Sequence, residues 1–379
     1  MEAYLDNSAT TKPYDEVIEV MAFVMKNLYG NPSSAHSLGL VAEQKLNESR
    51  ELLSKTINAS KDEIIFTSGG SESNNFLIRG FAKQGNHIIT TKIEHPSVLQ
   101  TCKELEAEGV RVTYLDVDSS GRISIEDLRS NICKDTVLVS VMHVNNEIGI
   151  IQDLEAIGKA IKEESSRAKF HVDAVQSYGK FKIDVKKCNI DLMSISGHKI
   201  HGPRGIGFAY VRRGLIPKPL INGGGQERGF RSGTENLAAI AGLAKAAEIM
   251  YNNNAKNFTK VQGLKAYFIS KLEGIKDINI NSELKDCYSP YILSVSFRGV
   301  RSEVLLHLLE EHNIYVSTGS ACSSKDEKES SVLKAIGLKK EELKGTIRFS
   351  FNEENNKSEI DYTIENIEKA LVFLRRVNI

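Results

Sequence analysis

Residues 194–211 read SISGHKIHGPRGIGFAYV. An apolar run ends near Ser196, a polar turn sets Lys199 between His198 and His201, and glycines lead into a second apolar run, GFAYV. Short apolar, β-branched runs bounded by Gly or Pro read as buried strands. The same reading applies upstream to EIIFT, HIITT, RVTYL, VLVSVM, KFHVD and DLMSIS. Helical patterns such as SVLQTCKELEAEG and LEAIGKAIKEE separate several of them. This alternation predicts an α/β fold whose sheet is mostly parallel and covered by helices on both faces. Ligands of such sheets bind beyond the carboxyl ends of the strands, and Lys199 falls at one of those ends.

Downstream of a Gly/Pro-rich segment, GLIPKPLINGGGQERGFRSGT, a helical pattern covers residues 235–252. Fewer strands follow (YILSVSF, NIYVST and TIRFS), interleaved with RSEVLLHLLEEH and a last helix near SEIDYTIENIEKALVFLRR. A chain of 379 residues accommodates two domains. We expect a large domain at 15–255 and a smaller α+β domain formed by 1–14 and 256–379.

Composition excludes some function classes. Lys plus Arg and Asp plus Glu number 49 each, so no bulk charge attracts nucleic acid or an acidic membrane. The start, MEAYLDNSATT, has neither the basic region nor the apolar core of a secretory signal, and no run of about 18 apolar residues occurs. We therefore expect no membrane span, no direct nucleic-acid partner and a cytoplasmic location. Five cysteines, odd in number and without a CxxC pair, fit reduced thiols better than a disulfide framework or a zinc site.

Chemistry concentrates around Lys199. A lysine held in a crowded cleft at a strand end loses its proton readily and forms a Schiff base with an aldehyde. Pyridoxal phosphate is such an aldehyde, and it needs an acid at its ring nitrogen, an anion site and a surface for its ring. Asp173, closing the strand in FHVDAVQS, is the candidate acid, although a helix N-cap is the plainer use of such a residue. FTSGGSESNNF runs from strand through Gly69 and Gly70 into a helix opening at Ser71, which suits a phosphate and equally suits ordinary capping. His95, in IEHPSVL, stands where it could stack on a ring and shuttle protons. STGSACSS, residues 317–324, sets Cys322 among small neighbours ahead of the charged run KDEKES. That pattern reads as a carrier arm with an accessible thiol. Cys102 shares helical spacing with Val98 and Leu105 and reads as core, while Cys133, Cys188 and Cys287 show no partner pattern and read as structural.

Taken together, YLDNSATT, YGNPSSAHS, FTSGGSESNN, EHPSV, HVNNEIG, HVDAVQSYGK, SGHKIHGPRGIG, GGGQERGFRSGTEN, STGSAC and TIRFS resemble the NifS/IscS-type cysteine desulfurases, a branch of the class V aminotransferase family with the fold type I pyridoxal phosphate architecture. The resemblance spans nearly the whole chain. It implies that Lys199 carries pyridoxal phosphate, that Asp173 pairs with its ring nitrogen and that His95 stacks on the ring. It also implies that Asn146 and Gln176 bond near the phenolic oxygen, and that Gly70, Ser71, Ser196 and His198 hold the phosphate. Thr234 would reach the phosphate of a second subunit in a homodimer, and Arg348 would grip the substrate carboxylate. Cys322 would take sulfur from L-cysteine as a persulfide, leave alanine, and pass the sulfur to an acceptor such as an iron–sulfur scaffold or a tRNA-thiolation enzyme. Selenocysteine and cysteine sulfinate remain as alternative substrates of the same fold. Ser71 replaces a common threonine but keeps a hydroxyl, and Gln226 stands where histidine is frequent. The chain ends at RRVNI, short of the tail that helps dock a scaffold protein in the housekeeping iron–sulfur members, so the resemblance leaves that subgroup open.

Overall fold

The structure, a computed structural model, describes residues 1–318 and 330–377. A seven-stranded sheet runs in the order Ile64–Thr67, Gly207–Val211, Leu192–Ser196, Lys169–Asp173, Thr136–Met142, His87–Thr91 and Arg111–Leu115. From Leu192–Ser196 to Arg111–Leu115 every neighbouring pair is parallel. Gly207–Val211 runs against both of its neighbours. The expected strands are all present, with one antiparallel member in a mostly parallel sheet.

Period-two alternation assigns the strands' two faces to different cores. Ile64 and Phe66 pack with Leu53, Ile157 and Ile240, whereas Ile65 between them packs with Phe76, Val98 and Leu105. Cys102 is fully buried in the second of these cores, as its helical spacing suggested. Only Arg111–Leu115, at one edge, shows substantial exposure along the strand.

The later part of the chain builds a second sheet in the order Ser317–Thr318, Thr346–Ser350, Ile292–Phe297 and Ile278–Ile280, antiparallel throughout. NIYVST does not form one strand. Ile314–Tyr315 pairs in parallel with Ala3–Tyr4, and Ser317–Thr318 then joins Thr346–Ser350, so the chain changes partner around Val316. The helix anticipated at 235–252 continues to Leu272 through a polar NNNAKN stretch. Its first half buries Leu237, Ile240 and Leu243 in the large-sheet core, and its second half buries Val261, Leu264 and Phe268 in the second core. Tertiary packing at both ends outweighs the weak helix propensity of the asparagines between them.

Candidate active site

Lys169–Asp173 and Leu192–Ser196 end side by side, with Asp173 opposite Ser194. Just past Ser196 a single helical turn, Gly197–Lys199, brings the lysine back over the sheet's carboxyl edge. Across from it, Ile64–Thr67 passes through Gly69 into the helix Gly70–Phe81. Gly69 has φ of 148°, a conformation that side chains disfavour. A Cβ on Gly70 would lie 2.6 Å from a methyl of Val175, so the close approach of these loops requires glycine. The helix starts one residue before Ser71, and its first amides supply an anion site at the positive end of the helix dipole.

These elements enclose a cavity of about 160 Å³. Gly70, Ser71, Asn146, Ser196 and His198 line it, together with His95, Asp173, Gln176 and Lys199. Residues from five separated segments of sequence thus meet in one place. Three polar wall residues have no role assigned from the sequence: Ser8, Asn74 and Ser97. Ser8 belongs to the quoted motif YLDNSATT, but nothing local signals that this segment crosses to the sheet edge.

Ser8 is held from several sides. Its amide donates to Ser350 Oγ at 2.8 Å, and its carbonyl accepts from Gln176 Nε2 at 2.9 Å and Lys199 Nζ at 2.5 Å. Lys199 Nζ also donates to the Ala9 carbonyl at 2.7 Å. Asp173 accepts from Asn74 Nδ2 at 2.8 Å and from the Val175 amide at 3.0 Å, an arrangement suited to a buried carboxylate. Burial lowers the His95 pKa, with Lys199 adding to the effect and Asp173 opposing it. Burial, then the charges of Lys199, Arg204 and Lys180, push His198 down to about 4, so its ring is neutral near pH 7. Behind the site Lys180 is buried and is lowered to about 7, by burial first and then by Lys199.

Two further candidates stand apart from the cavity. Arg348 is buried beside it, donating through Nη1 to the Asn146 carbonyl at 2.9 Å and through Nη2 to Asp6 Oδ1 at 2.9 Å. It therefore meets the cavity wall through Asn146. Thr234 is exposed and lines a neighbouring depression with Ser68 and Gly205. Cys322 lies outside the described residues. The chain leading to it is tied in at Ser317, whose Oγ donates to the same Asp6 oxygen at 2.8 Å.

Among the other thiols Cys133 contacts Thr136 Oγ1 at 3.5 Å and Arg111 Nη2 at 3.7 Å. It is partly exposed, and its pKa is lowered chiefly by the Thr136 hydroxyl, with Arg111 also contributing. Gln226, at a position of departure from the family pattern, accepts from the Gly233 amide through Oε1 at 3.0 Å and so braces the turn beside Thr234. Among the described residues no group of three or more His, Cys, Asp or Glu side chains is arranged to hold a metal ion, and no helix is long and apolar enough to cross a membrane.

The cavity's unpaired polar atoms fit a ligand. Ser8 Oγ, Asn74 Oδ1 and Gln176 Oε1 are buried and have no hydrogen-bond partner among the described residues. Buried polar atoms without partners are uncommon and mark places that a ligand completes. A helix N-terminus, a carboxylate and a lysine amine arranged around them suit a compound with a phosphate, a basic ring nitrogen and a carbonyl.

The Aminotransferase class-V family model matches residues 3–363. The chain is similar to the Cysteine desulfurase IscS of Clostridium botulinum, with 45% identity over 377 residues covering 98% of this chain and 94% of that protein. It superposes on a solved structure described as a NifS-like protein with a TM-score of 0.93 and 39% identity, covering 98% of this chain and all of that one. It also superposes on the structure of SspA in complex with cysteine, with a TM-score of 0.82 and 36% identity over 92% of this chain and 98% of that one.

Proposed function

From the premise that the chain belongs to the class-V aminotransferase family and is a cysteine desulfurase, we propose how its residues divide the work. Pyridoxal phosphate is the cofactor, carried on Lys199 in the cavity at the sheet's carboxyl edge. When bound it supplies an electron sink for the bonds at the substrate's α-carbon. Asp173 would keep the ring nitrogen protonated, His95 would cover the ring, and Asn146 and Gln176 would bond near the phenolic oxygen. Gly70, Ser71, Ser196 and His198 would hold the phosphate, joined by Thr234 of a second copy. The observation that carries this reading is the convergence of Lys199, Asp173 and His95 on one cavity from three different strand ends.

The substrate is L-cysteine, whose carboxylate pairs with the planar fork of Arg348. Lys199 Nζ, as a free amine, would take and return the α-proton. Cys322, as thiolate, attacks the substrate sulfur. A sulfur–sulfur bond forms, the carbon–sulfur bond breaks, and its electron pair with a proton stays on the three-carbon fragment, which leaves as alanine. The SspA structure holding cysteine supports this substrate class. The exposed apolar side chains Ile18, Phe23, Met25 and Tyr29 and the exposed Thr234 support a homodimer. The sulfur acceptor is an iron–sulfur scaffold or a tRNA-thiolation enzyme, reached in the cytoplasm.

The test is incubation of the purified protein with L-cysteine, with alanine and sulfide quantified beside Cys322→Ala and Lys199→Ala. Loss of alanine production in both variants is the expected result. Sulfur release by Cys322→Ala at the parental rate would show that Cys322 is not the acceptor.

A further inference from the structure

Asn74 and Ser97 have no part in the scheme above, yet they join two of its central groups. His95 is the N-cap of the helix Pro96–Ala107, and its Nδ1 accepts from the Ser97 amide at 3.1 Å. The Ser97 hydroxyl lies 2.8 Å from the same nitrogen. Asn74 Nδ2 donates to Ser97 Oγ at 2.8 Å and, with its other proton, to Asp173 Oδ2 at 2.8 Å.

The Asn74 and backbone-amide bonds each have one permitted direction, and together they set that of the hydroxyl contact. An amide NH2 donates and cannot accept, so Asp173 and Ser97 Oγ are both acceptors toward Asn74. Turning the Asn74 amide over would set its oxygen against the Asp173 carboxylate, which removes that alternative. Ser97 Oγ keeps a second lone pair after accepting from Asn74, so it is the donor amide of its own backbone, at 3.1 Å, that makes Nδ1 an acceptor and leaves the hydroxyl proton to point at it. The Ser97 backbone amide, also a donor only, points at the same atom. Two donors therefore face Nδ1, and a proton there would collide with both.

We propose that Asn74 and Ser97 are positioning residues that hold His95 in the tautomer protonated on Nε2. The proposal rests on the reading of this cavity as the desulfurase site and deepens it. In this tautomer His95 offers the cavity an N–H and no lone pair. It stabilises negative charge developing on the substrate, and it does not collect protons. Lys199 Nζ is then the group in the wall that accepts the α-proton, and the shuttle role expected of His95 from sequence falls away. Burial of the ring, which disfavours the doubly protonated form, supports the neutral state. The charged groups bearing on the ring are Asp173, which favours protonation, and Lys199, which opposes it.

Nitrogen-15 spectra of histidine-labelled protein test this directly. The His95 signals are identified by their loss in His95→Gln. At about pH 7.5 we expect Nδ1 in the unprotonated range and Nε2 in the protonated range, in the enzyme as purified and after removal of its cofactor. In Ser97→Ala, which removes one donor and the link to Asn74, the two shifts should move toward each other as the other tautomer gains population. Ser97→Thr, which keeps the hydroxyl, should restore the parental spectrum. Turnover should fall at least about 10-fold in Ser97→Ala with bound cofactor unchanged, and return to within about twofold in Ser97→Thr. A bare Nε2 or a doubly protonated ring in the parent overturns the proposal, as does a Ser97→Ala spectrum identical to the parent's. The tautomer is read without substrate, so its failure leaves cysteine desulfuration standing. Conversely, failure to form alanine from cysteine would leave the tautomer result intact.

Discussion

His171 and Asp173 sit two residues apart on one strand, and their surroundings differ completely. His171 is buried inside the sheet, where Nδ1 meets Ser140 Oγ at 2.8 Å and Nε2 meets Ser194 Oγ at 3.0 Å, each on an adjacent strand. Burial drives its pKa down to about 3, so the neutral ring links three strands with both nitrogens satisfied. Past Asp173 the polar groups are just as buried, yet Ser8, Asn74 and Gln176 each keep an atom without a partner among the described residues. An unmet buried hydrogen bond costs about 1–3 kcal/mol, so several in one wall are retained where a ligand completes them. The interior of the sheet is finished by folding alone. The rim is finished by binding.

Substitutions on either side of that line should therefore behave in opposite ways. The largest effect is expected from Lys199→Ala at the rim. Alanine formation from cysteine should drop by at least about 10³-fold, while the far-ultraviolet circular dichroism spectrum stays that of a folded protein. Loss of the fold would instead make the lysine part of the interior's bonding. His171→Ala, inside the sheet, should do the reverse. It removes a buried ring and strands two serine hydroxyls, costing about 3 kcal/mol in denaturant unfolding, and the molecules still folded should keep turnover within about 10-fold of the parent.

Glu94 sharpens the contrast, because it is buried, with one oxygen accepting from Thr91 Oγ1 and the Met142 amide and the other without a partner among the described residues. Burial raises its pKa from 4.5 to about 8, with Asp173 adding to the shift and the two hydrogen bonds opposing it. Between those values the folded chain keeps a proton that the unfolded chain has released. The stability this group contributes is full below about pH 4.5 and is lost as pH rises through about 8. Thermal midpoints taken across that window should fall for the parent, and Glu94→Gln should flatten the decline. An unchanged slope would show that the carboxyl is already ionised in the fold.

The smallest expected effect belongs to Ser8→Ala. Its hydroxyl has no partner to lose among the described residues, so stability should shift by less than about 0.5 kcal/mol. Binding of cysteine or alanine, followed through the cofactor's absorbance, should weaken about threefold to 10-fold. A stability loss with unaltered binding would move Ser8 to the interior side of the comparison.

Much of the fold and of the site is legible in the amino-acid sequence. The seven large-sheet strands follow from apolar runs whose alternate residues serve different cores, and Lys199, Asp173 and His95 follow from their places at strand ends. The division of NIYVST is hidden, because each half has the composition of a strand and only the arrival of Ala3–Tyr4 and Thr346–Ser350 separates them. The length of the helix Leu237–Leu272 is hidden too, since its asparagine-rich middle carries no apolar stripe and is supported by packing on either side. Ser8, Asn74 and Ser97 leave no sequence signal because each also has an ordinary local explanation, in a turn or a helix's first residues.

The sequence by itself determined the layered α/β architecture and the residue types of the site, because periodicity and strand-end position are local properties of the chain. Only the tertiary structure decided which polar atoms stay unpaired, that Arg348 is engaged by Asp6 and Asn146, and which nitrogen of His95 carries the proton. Those outcomes depend on hydrogen bonds between residues far apart in the chain, such as Ser8 with Lys199 and Asn74 with Asp173, whose directions exist only once the segments have met.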